Sequence, residues 1–196
     1  MKILHISDTH NLHHTLNHLP DADIIIHSGD FTVMGSENEA IDFMNWFCDL
    51  PYRHKIFLTG NHDTCMLNAE VNGLPENVHL LNNSNIVIDG IKICGISFFN
   101  IRDLSGEKVN PVKAVPADSD IIITHQPPLN ILDFSDNIHY GSFLLRERIM
   151  QVRPSLHLFG HVHNNYGIIY KNGIVFSNAA LLDATYKLAA PRLLCI

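Results

Sequence analysis

Five short polar clusters carry the side chains that could do chemistry: Asp8-Thr9-His10, Gly29-Asp30, Gly60-Asn61-His62-Asp63, Thr124-His125 and Gly160-His161-Val162-His163. Asp8 and His10 stand two residues apart, as do His161 and His163, so on an extended segment each pair can face one side. Asp30, Asn61 and His125 add one donor each. The set is two carboxylates, four imidazoles and one amide oxygen, with His62 beside them. Hard oxygen mixed with imidazole nitrogen suits Mn²⁺, Fe, Zn²⁺ or Co²⁺ better than Ca²⁺. Seven donors are more than one ion needs, and two ions can be served if one carboxylate bridges them. Two ions about 3.5–4 Å apart can clamp the attacking and leaving oxygens of an in-line displacement. Their charge outweighs that of the two carboxylates, so the site suits an anion such as a phosphate.

Such a set needs a scaffold that brings five distant points together. Runs of β-branched and apolar residues at 2–6, 23–27, 55–58, 121–123 and 156–159 each end in one of the clusters. They are apolar on successive residues rather than alternating, the pattern of strands buried on both faces. Ser36-Glu37-Asn38-Glu39 is a capping box, and Ile41, Met44, Phe47 and Cys48 follow it at helical spacing. A second amphipathic stretch covers 143–152 and stops before Pro154, and residues 11–19 carry a weaker helical pattern. Two hairpins are expected, 86–89 with 91–96 around Gly90, and 167–170 with 174–177 around Lys171-Asn172-Gly173. Early strand–helix alternation with later hairpins predicts an α/β fold with mixed sheets and helices outside. In open α/β sheets ligands bind beyond the carboxyl ends of the strands, where all five clusters fall. Segments 100–120 and 126–140 read as long loops.

Composition narrows the function classes. The chain has 196 residues, which predicts one domain over 1–196. A content of 46% hydrophobic and 17% charged residues excludes a disordered chain. A net charge of −7 argues against general nucleic-acid binding, which wants a surplus of Lys and Arg. The four cysteines form no CxxC pair, so neither a disulfide framework nor a cysteine zinc site is expected. The N-terminus lacks a signal-peptide core, and no apolar run approaches the roughly 20 residues that cross a bilayer. The expected location is cytoplasmic, with no membrane partner.

The five clusters, in this order and spacing from residue 8 to 163, resemble the motifs of the calcineurin-like metallophosphoesterases. Gly29-Asp30-Phe31-Thr32, Thr124-His125-Gln126-Pro127-Pro128-Leu129 and Leu156-His157-Leu158-Phe159-Gly160-His161 resemble most closely the small single-domain metallophosphoesterase-domain phosphodiesterases. The resemblance implies a four-layered α-β-β-α sandwich, two mixed sheets between helices. It implies that Asp8, His10 and His163 hold one metal, that Asn61, His125 and His161 hold the other, and that Asp30 bridges. Asn61 would also touch the phosphate, and His62 would protonate the leaving oxygen or stabilise the transition state. Val33 stands where many relatives carry an Asp that orients this histidine, and Met34 where protein phosphatases carry an Arg. Support for His62 then has to come from Asp63 or a loop residue.

The remaining histidines read differently. His5, His27, His54 and His157 fall in or beside strands and are expected in core or edge roles. His13, His14, His18, His79 and His139 are expected in solvent, with substrate contact as a second reading for His13 and His14. Asn100, Arg102 and Asn178 are candidates to reach a phosphate. No HExxH or GxSxG is present, which removes the nucleus of zincin and serine-hydrolase chemistry. The expectation is a dinuclear metal-dependent phosphodiesterase on a small or nucleotide-like substrate. Mn²⁺ is the first choice of ion, with Fe, Zn, Co or Ni behind it, and a metal-bridging hydroxide attacks phosphorus in line. The alternatives are a phosphomonoesterase with the same metals, or a metal-binding scaffold with vestigial activity.

Overall fold

A computed structural model describes residues 1–97, 111–183 and 187–196. The first sheet has the order β13-β1-β2-β3-β4. Here β1 is Lys2–Ile6, β2 Ile24–His27, β3 His54–Phe57, β4 Val78–Leu80 and β13 Arg192–Cys195. Strands β1 to β4 run parallel, and β13 closes the edge antiparallel to β1. The second sheet has the order β11-β12-β10-β7-β6-β5. Its members are β5 Ser84–Ile88, β6 Ile91–Ile96, β7 Ile121–Thr124, β10 Leu156–Phe159, β11 Gly167–Lys171 and β12 Ile174–Asn178. The four inner strands are parallel, while the hairpin partners β5 and β11 are antiparallel at the two edges.

Side-chain alternation on the buried strands builds the layers. Ile3, Ile24, Ile26 and Ile56 from the first sheet meet Ile93, Ile121, Ile123, Leu156 and Leu158 from the second. Their neighbours on the same strands, Leu4, Ile6, Ile25 and Phe57, face Phe43 and Phe47 of helix α1, Glu37–Asp49. On the far side, Ile122, Phe159 and Phe176 pack against Leu145 and Ile149 of helix α2, Phe143–Val152. Each such side chain, fully buried, contributes roughly 1.5–3 kcal/mol of transfer free energy. The result is the expected α-β-β-α sandwich.

The local signals explain the helix ends. Ser36 Oγ accepts from Glu39 N, and Glu39 Oε2 accepts from Ser36 N at 2.9 Å, so the capping box forms. Glu39 also accepts from Asn11 Nδ2 and from the backbone N–H of Val33 and Met34, tying two of the polar loops to the helix start. Among the described residues no helix is long and apolar enough to cross a membrane.

Three expectations need correction. Residues 11–19 form only a 3₁₀ turn at His13–Thr15, because His10 and Asn11 take left-handed φ of 39° and 63° and hold the chain in a turn there. The segment 126–140 is not all loop, since β8 (Phe134–Ser135) and β9 (Ile138–His139) pair across left-handed Asp136 and Asn137. Strands β4 and β13 were not expected from the pattern, since His79 interrupts the one and Arg192 opens the other, and neither leads into a polar cluster.

Candidate metal centre

The carboxyl ends of β1, β2, β3, β7 and β10 deliver the five clusters to one edge of the sandwich. The loops after β1 and β2 run together: Asp8 N donates to Gly29 O, His10 N to Asp30 O and Asn11 N to Phe31 O, at 2.9, 3.2 and 2.9 Å. Asp8, His10, Asp30 and His161 all hold left-handed φ, of 53°, 39°, 56° and 71°. Such conformations are uncommon outside glycine and are retained where surrounding structure fixes them, often at functional sites.

Two groups of ligand atoms form. Asp8, His10 and His163 bring one donor each within 4.8 Å of one another, and Asp30, His125 and His161 do the same. His163 Nε2 lies 3.5 Å from Asp8 Oδ1, and His125 Nε2 lies 3.2 Å from Asp30 Oδ2 and 3.0 Å from Asn61 Oδ1. A metal with ligands at about 2.0–2.2 Å separates neighbouring donors by about 3–3.5 Å, which is this spacing. All seven sequence-expected ligands are therefore gathered at this edge, with Asp8, Asp30 and His125 buried and the others partly exposed.

The imidazoles are also oriented for an ion. His10 Nδ1 donates to Thr32 O and His125 Nδ1 to Ser28 O, both at 2.9 Å, and His163 Nδ1 donates to Leu182 O. A carbonyl accepts and never donates, so each Nδ1 keeps its hydrogen and Nε2 is the nitrogen turned toward the other donors. The donor set and its outer bonds fit divalent metal ions.

The charge balance says the same. Burial lowers the pKa of His10, and burial followed by the nearby His125 lowers His161 to about 4, so both rings stay neutral. Burial would push the Asp30 carboxyl up, but the charge and hydrogen bond of His125 hold it well below the usual range. Burial would push His125 down, but Asp30 outweighs it and raises the imidazole. The carboxylate and the imidazole therefore pair with each other, 3.2 Å apart, among the other donors.

Glycine at two positions is a steric demand rather than a turn preference. A Cβ on Gly60 would lie 2.2 Å from Asp30 Oδ1, and one on Gly160 would lie 2.0 Å from Asp8 Oδ2. Neither has the positive φ of a turn glycine. Both permit a buried carboxylate to press against the backbone.

His62 stands at the exposed rim, its ring 4.8 Å from that of His10 and edge-on to it. Its Nδ1 donates to the backbone carbonyl of Val33 at 2.9 Å, so the loop supplies the support that the side chain of residue 33 does not. Asp63 does something else. Fully buried, its carboxylate accepts from Asp30 N, Thr32 N, Thr32 Oγ1 and Gly60 N at 2.8–2.9 Å and locks two ligand loops together. Asp8 does not cap a helix; its two oxygens accept from His161 N at 3.1 and 3.0 Å.

Next to the ligands lies a cavity of about 430 Å³, lined by His10, His62, His161 and His163 together with Val33, Ser135, Asp136, Tyr140, Asn164, Leu182 and Asp183. Ser135, Asp136 and Tyr140 come from the segment around β8 and β9. Sequence reasoning marked it only as a long loop. Asn178 does not serve this site, because its side chain is spent on Val162 O and Ala180 N in the core. His13 and His14 turn away toward Asp42 of α1, and His13 is buried rather than solvated. His5, His27 and His157 are fully buried as expected, His54 is half-buried, and Asn100 and Arg102 lie outside the described residues.

Comparison with known proteins agrees with this geometry. The family model described as calcineurin-like phosphoesterase matches residues 1–165. Two UPF0046 proteins of Caenorhabditis elegans are 36% and 31% identical, over 91% and 92% of this chain and 74% and 69% of their own lengths. Metallophosphoesterase domain-containing protein 1 of Homo sapiens is 30% identical over 95% of this chain and 68% of that protein. One solved crystal structure, 16% identical, superimposes over 90% of this chain and 89% of its own with a TM-score of 0.67, a likeness of fold. The chain belongs to the calcineurin-like phosphoesterase family, and with it to the metal-dependent phosphoester hydrolases.

Proposed function

We propose that the chain is a dinuclear phosphodiesterase acting on a small or nucleotide-like diester, working as one domain over 1–196 with Mn²⁺ as its ion. The observation that carries the reading is the charge of the cavity wall. Among its described residues there is no Lys or Arg, while Asp136 and Asp183 add negative charge. A monoester dianion would need extra cations there, whereas a diester carries a single charge and asks less. The volume of about 430 Å³ suits a small substrate. The mixed oxygen and imidazole donors suit Mn²⁺, and the four free cysteines accord with a reducing, cytoplasmic setting.

In this reading Asp8, His10 and His163 would hold one ion, Asn61, His125 and His161 would hold the other, and Asp30 would serve both. The ions, when bound, supply Lewis-acid charge and lower the pKa of the attacking water. Asn61 orients the phosphoryl group by its amide. His62, with Nδ1 pinned on Val33 O, presents Nε2 to the leaving oxygen and gives it a proton. Tyr140 and Leu182 offer apolar surface to the substrate's organic arm.

The test is a comparison of bis(4-nitrophenyl) phosphate with 4-nitrophenyl phosphate at saturating Mn²⁺, alongside metal analysis of the reconstituted protein. A higher kcat/KM on the diester and two ions per chain are expected. A clear monoester preference would overturn the substrate class, and a single ion would overturn the dinuclear scheme.

A further inference from the structure

The 3₁₀ turn His13–Thr15 sits against α1 and forms a second constellation that uses none of the seven donors of the main centre. His13 Nε2 lies 3.1 Å from Asp42 Oδ2, and His14 Nε2 lies 3.1 Å from the same oxygen and 3.2 Å from Asp42 Oδ1. The three ligand atoms fall within 4.8 Å of one another. Two ring nitrogens converge on one carboxylate, at the separation that ligands of about 2.0–2.2 Å reach leave between neighbours. Half of the constellation is rigid. The His13 ring is buried, 5.0 Å from the Trp46 ring and 5.6 Å from that of Phe43. The other half is open, with the His14 and Asp42 side chains 57% and 56% exposed, so water can complete the coordination.

We propose that His13, His14 and Asp42 form an additional divalent-metal site that clips the segment following His10 onto α1. Two imidazoles and one carboxylate make a borderline donor set, whose preference runs to Cu²⁺, Ni²⁺ and Zn²⁺ rather than Mg²⁺ or Ca²⁺. The clip spans 28 residues between His14 and Asp42 and reinforces the tie that Glu39 makes to Asn11.

Trp46 is the single tryptophan of the chain and reports on this site directly. Cu²⁺ held on His13 quenches an indole ring 5.0 Å away by energy and electron transfer. Titration of the folded protein with Cu²⁺ at a pH above neutral should quench Trp46 to saturation. His14→Ala and Asp42→Asn change exposed side chains. Loss of a direct ligand costs at least what loss of an outer partner costs, so the midpoint should move by about tenfold or more. His18→Ala, at an exposed histidine outside the constellation, and Asp30→Asn, in the main centre, should keep the wild-type quench. Equilibrium dialysis at free Zn²⁺ near the wild-type midpoint should find less zinc bound to His14→Ala than to the wild type. Unchanged quenching and unchanged zinc binding in both His14→Ala and Asp42→Asn would overturn the proposal. An equal loss in His18→Ala would also overturn it, by showing adventitious histidine binding only. Failure of the main centre to take two ions would leave the difference between these variants intact.

Discussion

Replacing Gly60 by alanine tests whether the centre depends on the close approach of backbone to carboxylate. The added Cβ would meet Asp30 Oδ1 at 2.2 Å, Asp30 N at 2.6 Å and Asp30 Cγ at 2.8 Å. Ordinary van der Waals separation requires about 1 Å more at the carboxylate oxygen. The carboxylate cannot swing aside at no cost, because it is also held by His62 N at 2.8 Å and by His125. The backbone cannot yield freely either, since Asp63 ties Gly60 N and Asp30 N to one side chain. A metal tolerates ligand displacements of about 0.2 Å, so a shift of about 1 Å should cost on the order of 10–100-fold in affinity. A misplacement of that size at the reacting centre can cost about 10²-fold in rate. Overpacking should also lower stability by about 1–3 kcal/mol. Mn²⁺ affinity by equilibrium dialysis, diester turnover at saturating Mn²⁺ and urea unfolding read the three effects separately. Gly167→Ala is the control, because its Cβ would meet only ordinary contacts at 3.8 Å. A Gly60→Ala protein with wild-type affinity and turnover would refute the steric argument.

His62→Gln should lose about 10²–10⁴-fold on an alkyl or nucleotide diester and far less on a nitrophenyl diester, whose leaving group departs without a proton. Equal losses on both substrates would remove the acid role. Burial lowers His5 and His157 to about 3. Each is neutral when folded but takes a proton on unfolding below its ordinary 6.5. Stability is therefore complete above pH 6.5, falls by about 1.4 kcal/mol per histidine per pH unit below it, and levels near pH 3. Urea unfolding of the chelated protein, wild type against His157→Gln, should show that much less pH slope in the variant, and equal slopes would refute it.

Much of the candidate site was legible because its potential donors are side chains of distinctive type at the ends of apolar runs. The strands beneath them were legible for the same reason: Ile24-Ile25-Ile26 and Ile121-Ile122-Ile123 have no polar face to confuse the pattern. The start of α1 followed from Ser36 and Glu39. What stayed hidden was done by backbone and by space. The Val33 carbonyl that orients His62 has no signature in residue type, since every residue has one. Gly60 and Gly160 carry no mark of a steric role in the sequence, and it emerges only once Asp30 and Asp8 are in place beside them. The edge strands β4 and β13 stayed hidden because neither is a β-branched run ending in a polar cluster. The reading of 11–19 as a helix failed because left-handed His10 and Asn11 override propensity. His13 read as solvated because the turn that buries it under Trp46 depends on α1, far along the chain.

Neither ligand group belongs to a single sheet. Asp8 and His10 follow a strand of the first sheet, while His163 follows a strand of the second; Asp30 and His125 with His161 divide the same way. Each trio of donors is therefore a seam, complete only when the two sheets have docked in their final relation. A chain with one sheet formed holds at most two ligands of any trio and has no place for a bound ion to act. A substitution that loosens the packing of one sheet on the other would therefore reach both trios at once.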